Sequence, residues 1–269
     1  MAKTTTKVNH SKVIRRAEVA TREAVAVGRK ILLTHLNKIK NVKTKYKAGL
    51  VSNVDVLAEQ KISQILVRHL PEVLVNGEEK TTKQKFVESD YVWHLDPLDG
   101  TTNYIHGYPI FCISIGLAYK GKIIYGCVDV PVLDQFFEAS VGGGAFCNGK
   151  RISVSTRSNL ADALLATGFF VYEKGILRKQ LKVFNKVIGH SRGVRRSGSA
   201  AFDLCCVANG IFEGYWETNL QAWDTAAGSL LVKEAGGVVT DYTGNDYHVG
   251  RNEILATNRK IHKKLLRLF

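Results

Sequence analysis

Residues 93–104 carry the side chains best suited to chemistry, because two carboxylates, Asp96 and Asp99, flank a proline there. The apolar run that leads into them predicts a buried strand ending in a tight turn, where a rigid sheet can hold side chains steady. Pro97 fixes its own φ and favours an extended Asp96, and Gly100 permits a sharp bend. Carboxylate oxygens beside exposed backbone N–H groups are what a divalent cation and a phosphate require together. The segment therefore favours a metal-and-phosphate site.

Two other interpretations of these aspartates have to be weighed. Asp-Pro-x-Asp-Gly is also a common turn sequence, so the five residues alone do not decide the question. Phosphatases of the haloacid dehalogenase type also place an aspartate motif after an apolar strand, but their aspartates are two residues apart. Here the spacing is three, and the motif lies about a third of the way along the chain. This argues against a covalent phosphoenzyme, and we expect direct in-line attack by water.

Three further carboxylates occur in settings that suit the same chemistry. Glu78 follows a predicted strand and a glycine, which would present it at a sheet edge, although a charge at a helix start explains it equally well. Asp224 opens a helix rich in small residues and Asp55 begins another. Helix capping is the more common explanation for each of these aspartates. Only the order of all these carboxylates along the chain makes the site hypothesis strong.

In order and context, the carboxylates resemble the signature of the inositol monophosphatase family. Its superfamily also contains fructose-1,6-bisphosphatases and nucleotide 3′-phosphatases. The resemblance covers roughly residues 12–268 and rests on three motifs, Gly77-Glu78-Glu79, Asp96-Pro97-Leu98-Asp99-Gly100-Thr101-Thr102-Asn103 and Trp223-Asp224-Thr225-Ala226-Ala227-Gly228. The fold expected is α+β, a layered αβαβα sandwich with mixed, largely antiparallel sheets.

Carried over position by position, the resemblance implies a complete site for two to three Mg²⁺ ions. The metal ligands would be four carboxylates and one backbone carbonyl: Glu78, Asp96, Asp99, Asp224 and Leu98. The catalytic residues would be Thr101 and Asp55, which orient the attacking water, and Glu78, which shares a third, weaker ion. The substrate would contact Asp99, Gly100, Thr101, Gly198, Ser199, Ala200, Glu217 and Asp224. Among these, the N–H groups of Gly100 and Thr101 would hold phosphate oxygens.

Two departures from the family pattern lie close to this site. The family often has D-L-V-T before the residue that matches Asp55, whereas this chain has Gly49-Leu50-Val51-Ser52. Ser199 stands where some members carry threonine. The first departure affects a turn beside the catalytic carboxylate, and the second concerns substrate specificity more than chemistry.

Periodicity and turn residues predict the elements that must position these residues. Helices are predicted over 12–40, from Asp55 to before Pro71, and over 173–189, 198–209, 224–235 and 258–268. Strands are predicted at 73–75, 91–95, 110–119, 122–130, 164–167, 211–216 and 237–240, with a hairpin turn at Lys120-Gly121. No repeat or linker divides the chain, so we expect a single phosphatase domain over 12–269 behind a disordered basic tail, residues 1–11. A metal-binding half, about 12–150, would pack against a substrate half, 151–269.

The basic excess lies at the two ends of the chain. Residues 1–47 hold thirteen Lys or Arg and two Glu, and residues 259–269 hold five more basic residues and no acidic one. The 211 residues between them carry a charge of −2, against +14 for the whole chain. Solvated helix faces and a frayed terminus explain this pattern, and an anionic partner such as RNA is the alternative. No zinc-finger or aromatic RNA-binding motif supports that alternative.

The residue types indicate which cellular compartment and which metal ions to expect. The five cysteines are an odd number without C-x-x-C spacing, which indicates reduced thiols in a cytoplasmic protein. No apolar stretch is long enough to span a membrane, and the amino terminus lacks the apolar core of a secretion signal. Carboxylate and carbonyl oxygens suit Mg²⁺ or Mn²⁺, and no His/Cys cluster is present for zinc.

The function expected is that of a Mg²⁺-dependent phosphomonoesterase that hydrolyses a small polyol phosphate through activated water, with inositol 1-phosphate as first choice. Fructose 1,6-bisphosphate, NADP and 3′-phosphoadenosine 5′-phosphate are alternative substrates. An RNA- or RNA-polymerase-associated regulator on the same fold is the alternative from another class. The resemblance also implies a homodimer and inhibition by Li⁺.

Overall fold

The structure is a computed structural model, and it describes residues 10–38, 42–45, 49–80 and 89–269. Helices within these ranges are α1 (Ser11–His35), α2 (Asn53–His69), α3 (Thr101–Ile105), α4 (Lys174–Ile188), α5 (Ala200–Ala208), α6 (Ala222–Glu234) and α7 (His262–Leu266). Strands are β1 (Val42–Lys45), β2 (Gly49–Ser52), β3 (Leu74–Gly77), β4 (Tyr91–Asp99), β5 (Cys112–Tyr119), β6 (Lys122–Val130), β7 (Gln135–Ser140), β8 (Gly144–Cys147), β9 (Lys150–Arg151), β10 (Leu164–Thr167), β11 (Gly193–Arg195), β12 (Gly214–Thr218), β13 (Val238–Thr240) and β14 (Glu253–Thr257). Most of the predicted basic tail, residues 1–9, lies outside the described residues.

Two mixed sheets form the framework. The first has the order β3-β4-β5-β6-β7-β8-β9 and is antiparallel except for the parallel β3–β4 pair. The second has the order β11-β10-β12-β14-β13, in which β10 is parallel to both of its neighbours. The predicted hairpin at Lys120-Gly121 joins β5 to β6, and both turn residues have positive φ, as a tight two-residue turn requires.

Helices cover and separate the sheets in five layers. Helices α1 and α2 pack on the outer face of the first sheet around one apolar core. Helices α5 and α6 lie between the two sheets in a second core, and α4 and α7 cover the outer face of the second sheet. The predicted αβαβα sandwich with mixed, largely antiparallel sheets is confirmed. None of the helices in the described part of the chain combines the length and hydropathy needed to cross a membrane.

Two glycines let helix α6 lie directly on the first sheet. Gly116 and Gly126 are opposite each other on β5 and β6. A Cβ on Gly116 would lie 2.6 Å from Cβ of Ala226, and one on Gly126 would lie 2.7 Å from Cα of Ala227. The small residues after Asp224 are therefore packing residues that allow a close helix–sheet contact.

Strand β12 begins later than predicted. The sequence pattern predicts a strand over 211–216, but Gly210 adopts φ +71° and the N–H groups of Ile211 and Phe212 both donate to the carbonyl of Cys206. These bonds complete the end of α5 and hold the apolar pair in a turn. Helix α7 is likewise shorter than the predicted 258–268.

Candidate active site

A β-bulge brings Asp96 and Asp99 to the same face of the first sheet. Asp96 lies opposite Ser114 and Asp99 lies opposite Cys112, so that three steps along β4 match two steps along β5. Side chains three residues apart on a regular strand point to opposite faces. The extra residue of the bulge turns the two carboxylates to one face, toward α5 and α6. Pro97 is tolerated there because a bulge releases a backbone N–H from the ladder.

Glu78 comes to this edge of the sheet from the neighbouring strand. Strand β3 is parallel to β4, with Gly77 opposite Leu95, and the N–H of Glu78 donates to the carbonyl of Leu95 at 3.1 Å. The carboxyl ends of parallel neighbours meet at one edge of a sheet. Glu78 therefore follows its strand at the point where Asp96 follows Leu95.

Helix α6 supplies Asp224 from the layer between the sheets. The N–H of Gln221 donates to Oδ2 of Asp224 at 2.6 Å. Gln221, not Asp224, is the N-cap of α6, and Asp224 completes the capping box. The carbonyl of Trp223 accepts a hydrogen bond from Ser114 Oγ at 3.1 Å, and Ser114 lies opposite Asp96 on β5. The capping turn is thus held beside the bulge, and the capping and functional interpretations are compatible.

Burial and mutual repulsion raise the pKa of the three aspartates. The pKa of Asp96 lies well above its ordinary value because burial and the neighbouring carboxylates, Glu78 among them, disfavour ionisation. Burial raises the pKa of Asp99 to about 6, although hydrogen bonds from α5 oppose the shift. The pKa of Asp224 is raised by burial and by the charge of Asp99. These groups therefore lie close enough to oppose one another's ionisation.

The donor atoms around this cluster are of the kind that a hard divalent cation prefers. Its donors are carboxylate oxygens and the nearby carbonyl of Leu98, and no described lysine or arginine forms an ion pair with Asp96, Asp99 or Asp224. A cation would offset the repulsion that raises their pKa values. The donors do not form a closed cage: within the described ranges no three His, Cys, Asp or Glu side chains are arranged to enclose an ion. Each of the three aspartates instead directs one oxygen to a backbone N–H.

Thr101 and Asp55 form the side-chain pair expected at the attacking water. Thr101 Oγ1 lies 3.0 Å from Oδ1 of Asp55 and 3.1 Å from the carbonyl oxygen of Leu98, so its hydroxyl can donate to either. Asp55 is fully buried, and its Oδ2 accepts the N–H of Ser52 at 2.9 Å and the hydroxyl of Ser52 at 2.6 Å. Ser52, not Asp55, is the N-cap of α2, and Asp55 completes the capping box. The serine hydroxyl makes the contact that a threonine would make at this position.

The predicted substrate segment holds Asp99 in place. The hydroxyl of Ser199 donates to Oδ2 of Asp99 at 2.8 Å and the N–H of Ala201 donates to the same oxygen at 2.7 Å. The backbone of Ala200 also contributes a hydrogen bond that favours the ionised carboxylate. The hydrogen-bond donors at the beginning of α5 are thus directed to Asp99. Contact of Ser199 and Ala200 with substrate stays a prediction.

Asn103 connects this segment to the loop after β4. Its Nδ2 donates to the carbonyls of Ile110 at 2.6 Å and Ser197 at 2.7 Å. Gly100 and Gly198, with φ +96° and +88°, adopt the left-handed conformation that glycine tolerates best. The sequence motif includes Asn103, but its role was missed because its partners lie 7 and 94 residues away.

Glu217 lies near the cluster at the end of β12. Burial raises the pKa of Glu217 to about 7, and the hydroxyl of the buried Tyr215, which donates to Oε2 at 2.6 Å, opposes the shift. Glu217 also lines a cavity of about 640 Å³ that Gly168, Trp216 and Tyr242 border. Tyr215 was not predicted as a site residue, since a strand tyrosine in an apolar run is ordinarily a packing residue.

Comparison with known proteins decides the family. The sequence model of the inositol monophosphatase family matches residues 14–269, and this range includes all three motifs. The chain belongs to the inositol monophosphatase family. It is therefore a phosphatase, and its family is in general Mg²⁺-dependent.

Individual relatives carry several names. The chain is 44% identical to the Nus factor SuhB of Pseudomonas aeruginosa over 80% of its own length and 81% of that protein. It is 38% identical to the fructose-1,6-bisphosphatase/inositol-1-monophosphatase of Aquifex aeolicus, over 93% of the chain and 94% of the relative. The solved inositol monophosphatase of Anabaena superposes with a TM-score of 0.81 at 38% identity, covering 91% and 92% of the two chains. Family and fold are thus shared, while the names divide over substrate and partner.

Proposed function

We propose that the protein hydrolyses a small polyol monophosphate, with inositol 1-phosphate as first choice, in a Mg²⁺-dependent reaction. The observation that carries the proposal is the cluster of Asp96, Asp99 and Asp224 beside the hydrogen-bonded Thr101–Asp55 pair. The bulged strand β4 and the first turns of the helices α2, α3 and α6 contribute these residues. Phosphoryl transfer requires positioning and charge stabilisation, and this arrangement is suited to both.

The residues divide the work between metal, water and alcohol. Glu78, Asp96, Asp99, Asp224 and the Leu98 carbonyl would hold Mg²⁺, which would supply Lewis acidity and positive charge for the transfer. Thr101 would accept a hydrogen bond from the attacking water while its own hydroxyl donates a hydrogen bond to the buried Asp55. The N–H groups of Gly100 and Thr101 would bind phosphate oxygens at the start of α3.

Glu217 favours a neutral alcohol over a second phosphate. An ionised carboxylate accepts hydrogen bonds from hydroxyl groups and repels a phosphate. The pKa of Glu217, about 7, leaves about half of it ionised at pH 7 and more above that pH. This supports a polyol monophosphate ahead of fructose 1,6-bisphosphate, NADP or 3′-phosphoadenosine 5′-phosphate.

A phosphatase screen with Mg²⁺ against these four substrates tests the proposal through kcat/KM. We expect inositol 1-phosphate to have the highest value and Li⁺ at millimolar concentration to inhibit its hydrolysis. Asp96→Asn, which removes a shared metal ligand, should abolish hydrolysis and leave the thermal unfolding transition in place. A fully active Asp96→Asn variant would refute the site, and a higher kcat/KM for another ester would replace the substrate.

A second function, binding of RNA, is favoured by charge and by relatives. The basic excess at both ends of the chain and the name Nus factor of the Pseudomonas relative motivate it. Counterion release would make such binding strongly salt-dependent. A salt-sensitive RNA gel shift that is lost on deletion of residues 1–11 would support it. Absence of any shift at low salt would end it, and neither result bears on hydrolysis.

A further inference from the structure

Glu59 is a buried carboxylate next to the candidate metal ligands and has no place in the site described so far. It lies on α2 four residues after Asp55, so both side chains leave the same face of the helix. Its side chain is fully buried. Its Oε2 accepts the backbone N–H of Glu79 at 2.7 Å. Burying a carboxylate without a hydrogen-bond donor costs free energy, so this hydrogen bond stabilises the buried side chain.

Gly77 packs against the same carboxylate. A Cβ built on Gly77 would overlap Oε2 of Glu59, and it would lie 2.6 Å from Cδ and 3.0 Å from Oε1, closer than atoms approach without displacement. The backbone of Gly77 does not have a positive φ, so glycine is required here for space and not for conformation. The first glycine of the Gly77-Glu78-Glu79 motif thereby makes room for Glu59.

These contacts fix the backbone on both sides of Glu78. On one side, the N–H of Glu78 donates to the carbonyl of Leu95 and continues the β3–β4 ladder. On the other, the N–H of Glu79 donates to Glu59. The residue between these two bonds has little freedom to rotate, and its side chain leaves from a fixed backbone.

We propose that Glu59 is a positioning residue that sets the metal affinity of the site by holding the backbone of Glu78. This inference rests on the proposed function, in which Glu78 is a metal ligand. Helix α2 then has two tasks one turn apart: Asp55 receives the hydroxyl of Thr101, and Glu59 orients Glu78. Glu59 acts through hydrogen bonding to the backbone, so an uncharged acceptor of the same shape should replace it.

Binding of Mn²⁺ alone, followed by electron paramagnetic resonance, tests the proposal without turnover. Glu59→Gln keeps an acceptor oxygen and should bind Mn²⁺ with nearly the affinity of the unmodified protein. Glu59→Leu removes the acceptor and should weaken Mn²⁺ binding by on the order of tenfold to a hundredfold, the usual effect of losing a partner that orients a ligand. The Mg²⁺ concentration for half-maximal activity should rise by the same factor.

Glu213 offers a matched control. It is also a fully buried glutamate whose Oε2 accepts a backbone N–H at 2.7 Å, from Leu164, but it lies immediately before β12, away from the cluster, and its Oε1 also pairs with Arg157 at 3.2 Å. Glu213→Leu should lower thermal stability as Glu59→Leu does, and should leave the affinity for Mn²⁺ unchanged. A metal effect shared by both variants would identify general loss of structure and overturn the proposal.

The remaining outcomes distinguish failure of the proposed function from failure of the positioning role of Glu59. Failure of the unmodified protein to bind Mn²⁺ would overturn the proposed function itself. Normal Mn²⁺ affinity in a folded Glu59→Leu variant, or equal defects in the Gln and Leu variants, would overturn only the positioning role. If Glu59→Leu does not fold, Gly77→Ala perturbs the same contact. It should weaken Mn²⁺ binding, and unchanged affinity in folded Gly77→Ala would refute the role of Glu59.

Discussion

Asp96 and Asp99 lie on the same face of the first sheet only because β4 has one more residue than β5 between them. The bulge leaves both carboxylates on the face that meets α5 and α6, where Asp224 and the start of α5 surround them. Burial, and after it the charges of the neighbouring carboxylates, raises the pKa of both groups above the ordinary value. A cluster of like charges favours the binding of a ligand of opposite charge.

Replacing Thr101 should separate water activation from metal binding. Thr101→Ala removes the hydroxyl that donates to Asp55 or Leu98, and should lower kcat by about 10²–10⁴, the range usual for groups that assist proton transfer. Mn²⁺ affinity should hardly change, because the side-chain ligands are intact. Thr101→Ser, which keeps the hydroxyl, is the control and should retain most of the turnover. Loss of Mn²⁺ binding in Thr101→Ala would assign the residue to the metal instead.

The pH dependence of KM should report on Glu217. Its pKa of about 7 lies above the ordinary value because of burial, so the carboxylate loses its charge as the pH falls through 7. For one such group KM for inositol 1-phosphate should rise about tenfold between pH 8 and pH 6, because the neutral acid accepts hydroxyl hydrogen bonds less well. Initial rates at saturating Mg²⁺ measure this rise.

Two variants distinguish Glu217 from titration of the substrate phosphate. Glu217→Gln should remove its share of the pH dependence and leave only that of the phosphate. Tyr215→Phe removes the hydroxyl that stabilises the ionised carboxylate, so the pKa of Glu217 should rise and the increase in KM should begin at higher pH. A KM profile that neither variant alters would exclude contact between Glu217 and the alcohol.

At the scale of elements, α6 packs closely against the first sheet because Gly116 and Gly126 carry no side chains. Gly116→Ala would place a methyl group 2.6 Å from Cβ of Ala226, so the helix must shift. Overpacking of this kind should cost about 1–3 kcal/mol in the free energy of unfolding. Because Asp224 moves with the helix, the Mg²⁺ requirement should rise as well. Urea unfolding and half-saturating Mg²⁺ measure the two effects.

Gly175→Ala is the matched substitution at a glycine without close neighbours. It lies in the first turn of α4, and a Cβ there would meet no described atom within 4 Å. Alanine favours the helix over glycine, so stability should be unchanged or slightly higher. If Gly116→Ala behaves like Gly175→Ala, the close contact of α6 with the sheet does not control the position of Asp224.

The elements differ in how well the sequence alone predicts them. The hairpin at Lys120-Gly121 is predictable because both strand pattern and turn residues are local. The bulge is not, although Pro97 indicates an extended Asp96, because it is defined by pairing with β5. The start of β12 was missed because backbone bonds to Cys206 outweigh the apolar pattern. The proposed metal ligands come from motif and family resemblance, whereas Asn103 and Tyr215 act through contacts that no local pattern reveals.

At the scale of the whole molecule, helix α4 leaves apolar side chains on the surface. Val171, Tyr172, Leu181 and Ile188 on and just before this helix are each between 44% and 56% exposed. We predict that a second copy of the chain covers them, because the family resemblance implies a homodimer. Sedimentation velocity should give a species of about twice 29.8 kDa. Leu181→Lys should shift it toward the monomer, and a monomeric unmodified protein would contradict the prediction.

Asp99 contributes to the architecture of the fold in a way that Asp96 does not. One oxygen of Asp99 accepts hydrogen bonds from Ser199 and Ala201 and so connects β4 to the helix between the sheets. Among the described residues, the hydrogen bond of the Asp96 side chain is to the N–H of Leu98, within its own turn. Natural selection for architecture alone would therefore retain Asp99 after catalysis ceased to matter. In a descendant that kept the scaffold for another purpose, Asp96 and Thr101 should drift first, and an aspartate at position 99 would be no proof of activity.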